Sequence, residues 1–134
     1  MTVAGAGSID IEPNESARDA CRGLAQIIDR VGDKWTVMVV GHLSSGSMRF
    51  NMLMRAIPGV SHRMLTLTLR GLERDGLVKR TAYATIPPRV DYELTELGRS
   101  LTGPLTGLAH WAGARRSEIE AAQGNYDASR VAAA

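Results

Sequence analysis

Apolar residues recur at helical spacing through most of this chain and switch once to strict alternation. Cys21, Leu24, Ile28 and Val31 fall three, four and three residues apart, which predicts a first helix from Asn14 or Ser16 to Val31. Asp33 is an N-cap for a second helix that carries Trp35, Met38, Val39, His42 and Leu43 inward. Phe50, Leu53 and Met54 give a short third helix over Arg49 to Ala56, broken by Ile57-Pro58-Gly59-Val60. Ser61 caps a fourth helix, which ends at Asp75-Gly76. Two strand-like runs follow, Leu77 to Thr85 and Arg89 to Thr95, joined across Ile86-Pro87-Pro88. In the second, Val90, Tyr92 and Leu94 share one face and Arg89, Asp91 and Glu93 the other, so the pair predicts a β-hairpin. Thr95 caps a last helix from Glu96 to about Ile119, with Leu97, Leu101, Leu105, Leu108 and Trp111 along one stripe. The expected fold is mainly α with a small β-hairpin: a helix-turn-helix followed by a wing.

Charge sharpens this picture. Residues 49–80 hold seven basic side chains against Glu73 and Asp75, in a chain whose formal net charge is +2. On a wheel of about 100° per residue, Ser61, Met64, Leu65, Thr68, Leu69 and Leu72 of the fourth helix gather on one side. Arg63, Leu67, Arg70 and Arg74 gather on the other. A basic stripe facing away from a leucine core, on the second helix of a helix-turn-helix, suits a DNA major groove. Its leading residues would meet base edges and its flanks phosphates. A solvated basic face is the plainer reading of the same stripe. Arg89 has two readings as well: a phosphate or minor-groove contact from the wing, or an ion pair with Asp91 or Glu93. Leu67 is out of place on the basic face, and either meets a thymine methyl or packs on a neighbouring element.

The chain has 134 residues and 44% hydrophobic content, enough for one domain with a core. The organisation expected is a flexible segment over 1–13, a winged domain with dimerisation helices over 14–119, and a flexible tail over 120–134. The first fifteen residues carry no basic leader and no apolar run, so no signal peptide is expected. No stretch approaches the roughly 18 apolar residues of a membrane span, and a cytoplasmic protein is expected. The last helix has more apolar surface than one winged domain can cover. Such a surface marks an interface, and a two-fold dimer through Leu24, Leu101, Leu105, Leu108 and Trp111 is the reading.

Catalysis has no support. His42, His62 and His110 stand apart without metal-ligand spacing, the chain holds one cysteine, and neither a phosphate-binding glycine loop nor a spaced carboxylate pair occurs, so no cofactor is expected. His42 reads as a packed, hydrogen-bonded histidine. A winged-helix module for protein interaction or DNA architecture, with weak sequence selectivity, is the alternative to a sequence-specific regulator; the arginine stripe favours the latter.

One set of residues resembles a known family. It comprises Cys21, Gly32-Asp33-Lys34-Trp35, Arg49-Phe50, Ile57-Pro58-Gly59-Val60-Ser61, Met64-Leu65-Thr66, Leu69, Leu72-Glu73-Arg74-Asp75-Gly76-Leu77-Val78, Pro87-Pro88-Arg89-Val90-Asp91-Tyr92, Leu94-Thr95, Gly98 and Trp111. In this order they resemble the HxlR-type winged helix-turn-helix regulators. The resemblance spans Cys21 to Trp111 and implies a homodimeric transcription factor on palindromic operators. Arg22 departs from the proline common after the cysteine, and Leu67 from a polar residue. The candidate DNA contacts are Arg49, Ser61, His62, Arg63, Thr66, Arg70, Arg74, Arg80 and Arg89. Some members of that family sense oxidants or electrophiles through a cysteine at the position of Cys21. Two readings of Cys21 stand: a small apolar residue on a buried stripe, or a thiol activated by Arg18 and Arg22. A small effector lodged between the dimer helices and the winged domain is the competing route of control, with Trp35 and Trp111 as candidate walls; core packing is the plainer reading of both tryptophans.

Overall fold

The computed structural model describes residues 15–133, so the segment expected to be flexible over 1–13 lies outside it. The order is α1 (Glu15–Val31), α2 (Lys34–Leu43), β1 (Met48–Arg49), α3 (Phe50–Ala56), α4 (His62–Arg74), β2 (Val78–Tyr83), β3 (Arg89–Leu94) and α5 (Glu96–Ala133). This is a winged helix: α3, the turn and α4 form the helix-turn-helix, and β2–β3 the wing.

Local chemistry accounts for the boundaries. The Asp33 carboxylate accepts from the Trp35 and Thr36 amides at 3.1 and 3.2 Å, which caps α2. The Ser61 hydroxyl accepts from the Met64 amide at 3.0 Å and caps α4. α4 closes with the paired bonds of a Schellman motif: Leu77 N–H to Leu72 O at 2.9 Å and Gly76 N–H to Glu73 O at 3.1 Å. Gly76 takes φ 76° there, in the region where a side chain is strained. Thr95 joins three elements. Its hydroxyl donates to Gly76 O at 2.6 Å and accepts from the Gly98 amide at 3.1 Å, so the α4–β2 turn and the start of α5 share one side chain.

The core lies between α2, α3, α4, the sheet and the first turns of α5. Val39, Leu43, Leu53, Leu65, Leu69, Leu72, Tyr92 and Leu94 fill it. β3 is central in a three-stranded antiparallel sheet of order β1-β3-β2, with Arg80 opposite Tyr92 and Met48 opposite the same residue from the other side.

Several expectations need correction. Arg49 does not begin α3; Met48–Arg49 pairs with β3 and the helix starts at Phe50. His42 and Met38 are exposed, while Thr36 and Val40 take their places in the core, because α2 is buried along Thr36, Val39, Val40 and Leu43. Met64 is exposed, and Gly71 joins the buried side of α4. α5 does not stop near Ile119 but continues to Ala133. Its second half is rich in alanine, glutamate and arginine, good helix formers, and Arg115–Glu118 and Arg116–Glu120 pair one turn apart at 2.7 and 2.9 Å. Leu105 is 8% exposed within its own chain, packed in the core of the winged domain. It was expected between two chains.

Candidate nucleic-acid interface

α4 carries two faces set by its packing. Leu65, Thr68, Leu69 and Leu72 are buried, and Arg63, Arg70 and Arg74 are exposed on the other side. The leucines hold the helix on the core and so fix the direction in which the arginines project. Leu67 is 46% exposed among them. The other candidates sit around this helix. The Ser61 hydroxyl oxygen accepts from the Met64 amide in the cap, which leaves its O–H to donate. The Thr66 hydroxyl donates to the His62 carbonyl at 2.8 Å, within the helix. The His62 ring lies on Phe50 with centroids 4.8 Å apart, so α3 steadies the first turn of α4. Arg49 is exposed at the N-cap of α3, without a side-chain cap bond. Arg80 is exposed on β2.

Arg89 makes an ion pair with Asp91. Its Nε lies 3.3 Å from Asp91 Oδ1, and its guanidinium sits 4.2 Å from the centre of the Tyr83 ring across the wing. These contacts engage the group with its own hairpin, and no hydrogen bond forms between Nε and the carboxylate. Ile86, just before the proline pair, stands fully exposed at the wing tip. No sequence pattern marks it, because a tip residue has no periodic neighbour.

The apolar face outside the core is broad. Leu24, Ile27 and Ile28 of α1 and Leu97, Leu108 and Trp111 of α5 are exposed, while Leu101 is half-buried against the core. Cys21 is half-buried and free. Arg22 beside it pairs with Asp19, which takes up part of its charge. Trp35 is half-buried against the core with Lys34 Nζ 4.7 Å from its ring centre, and Trp111 is exposed rather than core. A concavity of about 920 Å³ lies between α1, the end of α4 and the start of α5, lined among others by Ile27, Arg30, Asp75, Leu97 and Leu101. Among the described residues no group of histidines, cysteines and carboxylates is arranged to hold a metal, and no helix is long and apolar enough to cross a membrane.

The HxlR-like helix-turn-helix family matches residues 30–120, most of this architecture. The chain belongs to that family. Its relatives are transcriptional regulators: the HTH-type regulator YybR of Bacillus subtilis is 40% identical over 98 residues, 73% of this chain and 78% of YybR. The structure of the transcriptional regulator ytfH from Salmonella typhimurium superposes with a TM-score of 0.72 at 32% identity, over 84% of this chain and 99% of ytfH. The redox regulator HypR in its oxidised form superposes with a TM-score of 0.64 at 39% identity, over 69% of this chain and 95% of HypR. As an HxlR-like chain, the protein is a transcription regulator of the winged helix-turn-helix class, and α4 is the second helix of its helix-turn-helix.

Proposed function

We propose that this protein is a homodimeric, sequence-specific regulator that reads a palindromic operator with α4 from each chain. The observation that carries the reading is the α4 arrangement: exposed Arg63, Arg70 and Arg74 backed by buried Leu65, Leu69 and Leu72. Arg63 lies in the first turn, the part of a recognition helix that reaches base edges. Arg70 and Arg74 lie toward the flank, and Arg49 and Arg80 flank the helix on β1 and β2; these four suit phosphates. Arg89, engaged with Asp91 and Tyr83, serves the wing's shape.

Two substitutions separate reading from positioning. Arg63→Ala is expected to relax base preference at one position per half-site, at a cost of roughly 1–3 kcal/mol on a selected duplex and little on random DNA. Arg80→Ala is expected to weaken binding to all duplexes alike and to lower the salt slope by about one. Equal losses on selected and random duplexes for Arg63→Ala would remove it as a base reader.

The dimer is inferred from the exposed apolar residues of α1 and α5. Leu24, Leu108 and Trp111 stay in the proposed interface with Leu101 at its edge, joined by Ile27 and Ile28. Control through Cys21 fits the same seam. The thiol is half-buried on α1 and within reach of solvent, and the similar protein HypR is a redox regulator solved in oxidised and reduced forms. A modified Cys21 would act by shifting the balance of two dimer arrangements, since α1 carries none of the proposed base contacts. With one cysteine per chain, oxidation would join two chains or cap Cys21 with a small thiol. In a titration of the native protein with a thiol reagent, Cys21 is expected to react and operator affinity to change, while Cys21→Ser binds DNA and ignores the reagent. A thiol that reacts only after denaturation would leave control to a small effector in the concavity beside Arg30.

A further inference from the structure

Gly71 sits on the buried side of α4, in the helix interior. Glycine is a poor helix residue, because it has the most backbone freedom to lose on folding. Its presence there calls for a packing reason, and Arg30 supplies one. Arg30 belongs to the last turn of α1, and its guanidinium lies over Gly71 where a Cβ would stand: Nη1, Cζ and Nη2 are the nearest atoms to that point. From this seat Arg30 Nε donates to Asp75 Oδ2 at 2.9 Å, and Asp75 is the C-cap of α4. One side chain thus grips the end of the recognition helix at two places, one turn apart. α1 otherwise leaves Leu24, Ile27 and Ile28 exposed, so the grip is a principal tie between α1 and α4.

We propose that Arg30 is a positioning residue for DNA reading. Seated over Gly71 and bonded to Asp75, it sets the angle at which α4 presents its arginines. The proposal rests on the reading of α4 as the helix that meets DNA. Gly71 is buried and Arg63, Arg70 and Arg74 are exposed, so Arg30 acts from behind the helix and touches no base. The geometry suits arginine alone. A planar guanidinium lies flat on a glycine and still offers Nε to a carboxylate, whereas a lysine ammonium on a flexible stem can meet Asp75 but not cover Gly71. Base-edge hydrogen bonds need side chains placed to within about 0.5 Å, so a small rotation of α4 weakens several of them together. Phosphate contacts from long, flexible side chains tolerate the same rotation.

Gly71→Ala tests this without harming the helix. The new methyl takes the guanidinium's place, and because the displaced atoms are the far end of a flexible side chain, Arg30 swings away while the backbone stays. Alanine is the better helix former, so the melting temperature is expected at or above that of the wild type. Discrimination between a duplex that the wild type selects from a random pool and an unselected duplex of equal length is expected to fall roughly tenfold, the worth of weakened base contacts. The salt slope is expected to stay unchanged, because the phosphate contacts remain. Arg30→Ala is expected to show the same loss of discrimination, and Arg30→Lys is not expected to restore it. A structural role alone would lower binding to both duplexes equally, in step with the folded fraction. Equal losses on both duplexes, or full discrimination in Gly71→Ala and Arg30→Ala, would overturn the proposal. A wild type that selects no duplex at all would defeat the DNA reading itself, and this proposal with it.

Discussion

Leu65→Ala is expected to lower the unfolding free energy by about 2–5 kcal/mol, the range for a buried leucine whose site cannot collapse. Leu65 is 0% exposed and lies between α4 and the core formed by α2 and α3. The stability of a domain is typically about 5–15 kcal/mol, so this one substitution removes a large share of it. Denaturant unfolding measures the effect: the midpoint should fall while the slope stays constant. Because Leu65 holds the helix that carries the arginines, the variant should also bind DNA in proportion to its folded fraction. A loss below about 1 kcal/mol, the centre of the range for ordinary substitutions, would show that α4 is not anchored through this side chain.

Leu108→Glu is expected to have the opposite signature: a large loss of function with little change in the folded chain. Leu108 and Trp111 are 52% and 56% exposed in the single chain. A charge at such a position shifts the stability of one chain by no more than about 0.5 kcal/mol. Between two chains it would bury an unpaired carboxylate, which an interface does not tolerate. The variant should run as a monomer by light scattering with an unchanged circular dichroism spectrum. Its operator affinity should fall on the order of a hundredfold or more, because two linked readers gain about 10²–10⁴ by avidity. Leu105→Glu serves as the contrast. Leu105 is core within its own chain, so this change is expected to unfold the protein rather than to separate it. A Leu108→Glu protein that remains dimeric and keeps its operator affinity would move the interface elsewhere.

The parts of this molecule that were legible in the sequence are those where one local signal decides one local feature. Asp33, Ser61 and Thr95 each cap the helix expected of them, since a cap is a contact between residues two or three apart. The wing followed from alternation and the proline pair. The α4 faces followed from periodicity, apart from Ser61 and Met64, which are exposed, and Gly71, which is buried. What was not legible depends on contacts remote in sequence. β1 is two residues long and has no period to detect; it exists because β3 offers Tyr92 and Asp91 as partners. The α5 stripe is regular from Leu97 to Trp111, yet its members divide between the chain's own core, where Leu105 lies, and exposed surface, where Leu108 and Trp111 lie. Periodicity tells which side of a helix is apolar and not what covers it. Arg30, Gly71 and Asp75 are joined across 45 residues of chain. A glycine in the middle of α4 was the one visible hint of that contact. Arg89 was left between two partners by the sequence, and the fold brought Tyr83 across the hairpin to decide for Asp91.

The most direct test of the account is hydroxyl-radical footprinting on a duplex selected by the wild-type protein, with the mass of the complex measured by light scattering on the same sample. Two chains per duplex are predicted, protecting two symmetric half-sites whose centres lie about 10–10.5 base pairs apart or a multiple of that spacing. One chain on a single asymmetric site, or protection that does not depend on the sequence of the duplex, would contradict the account.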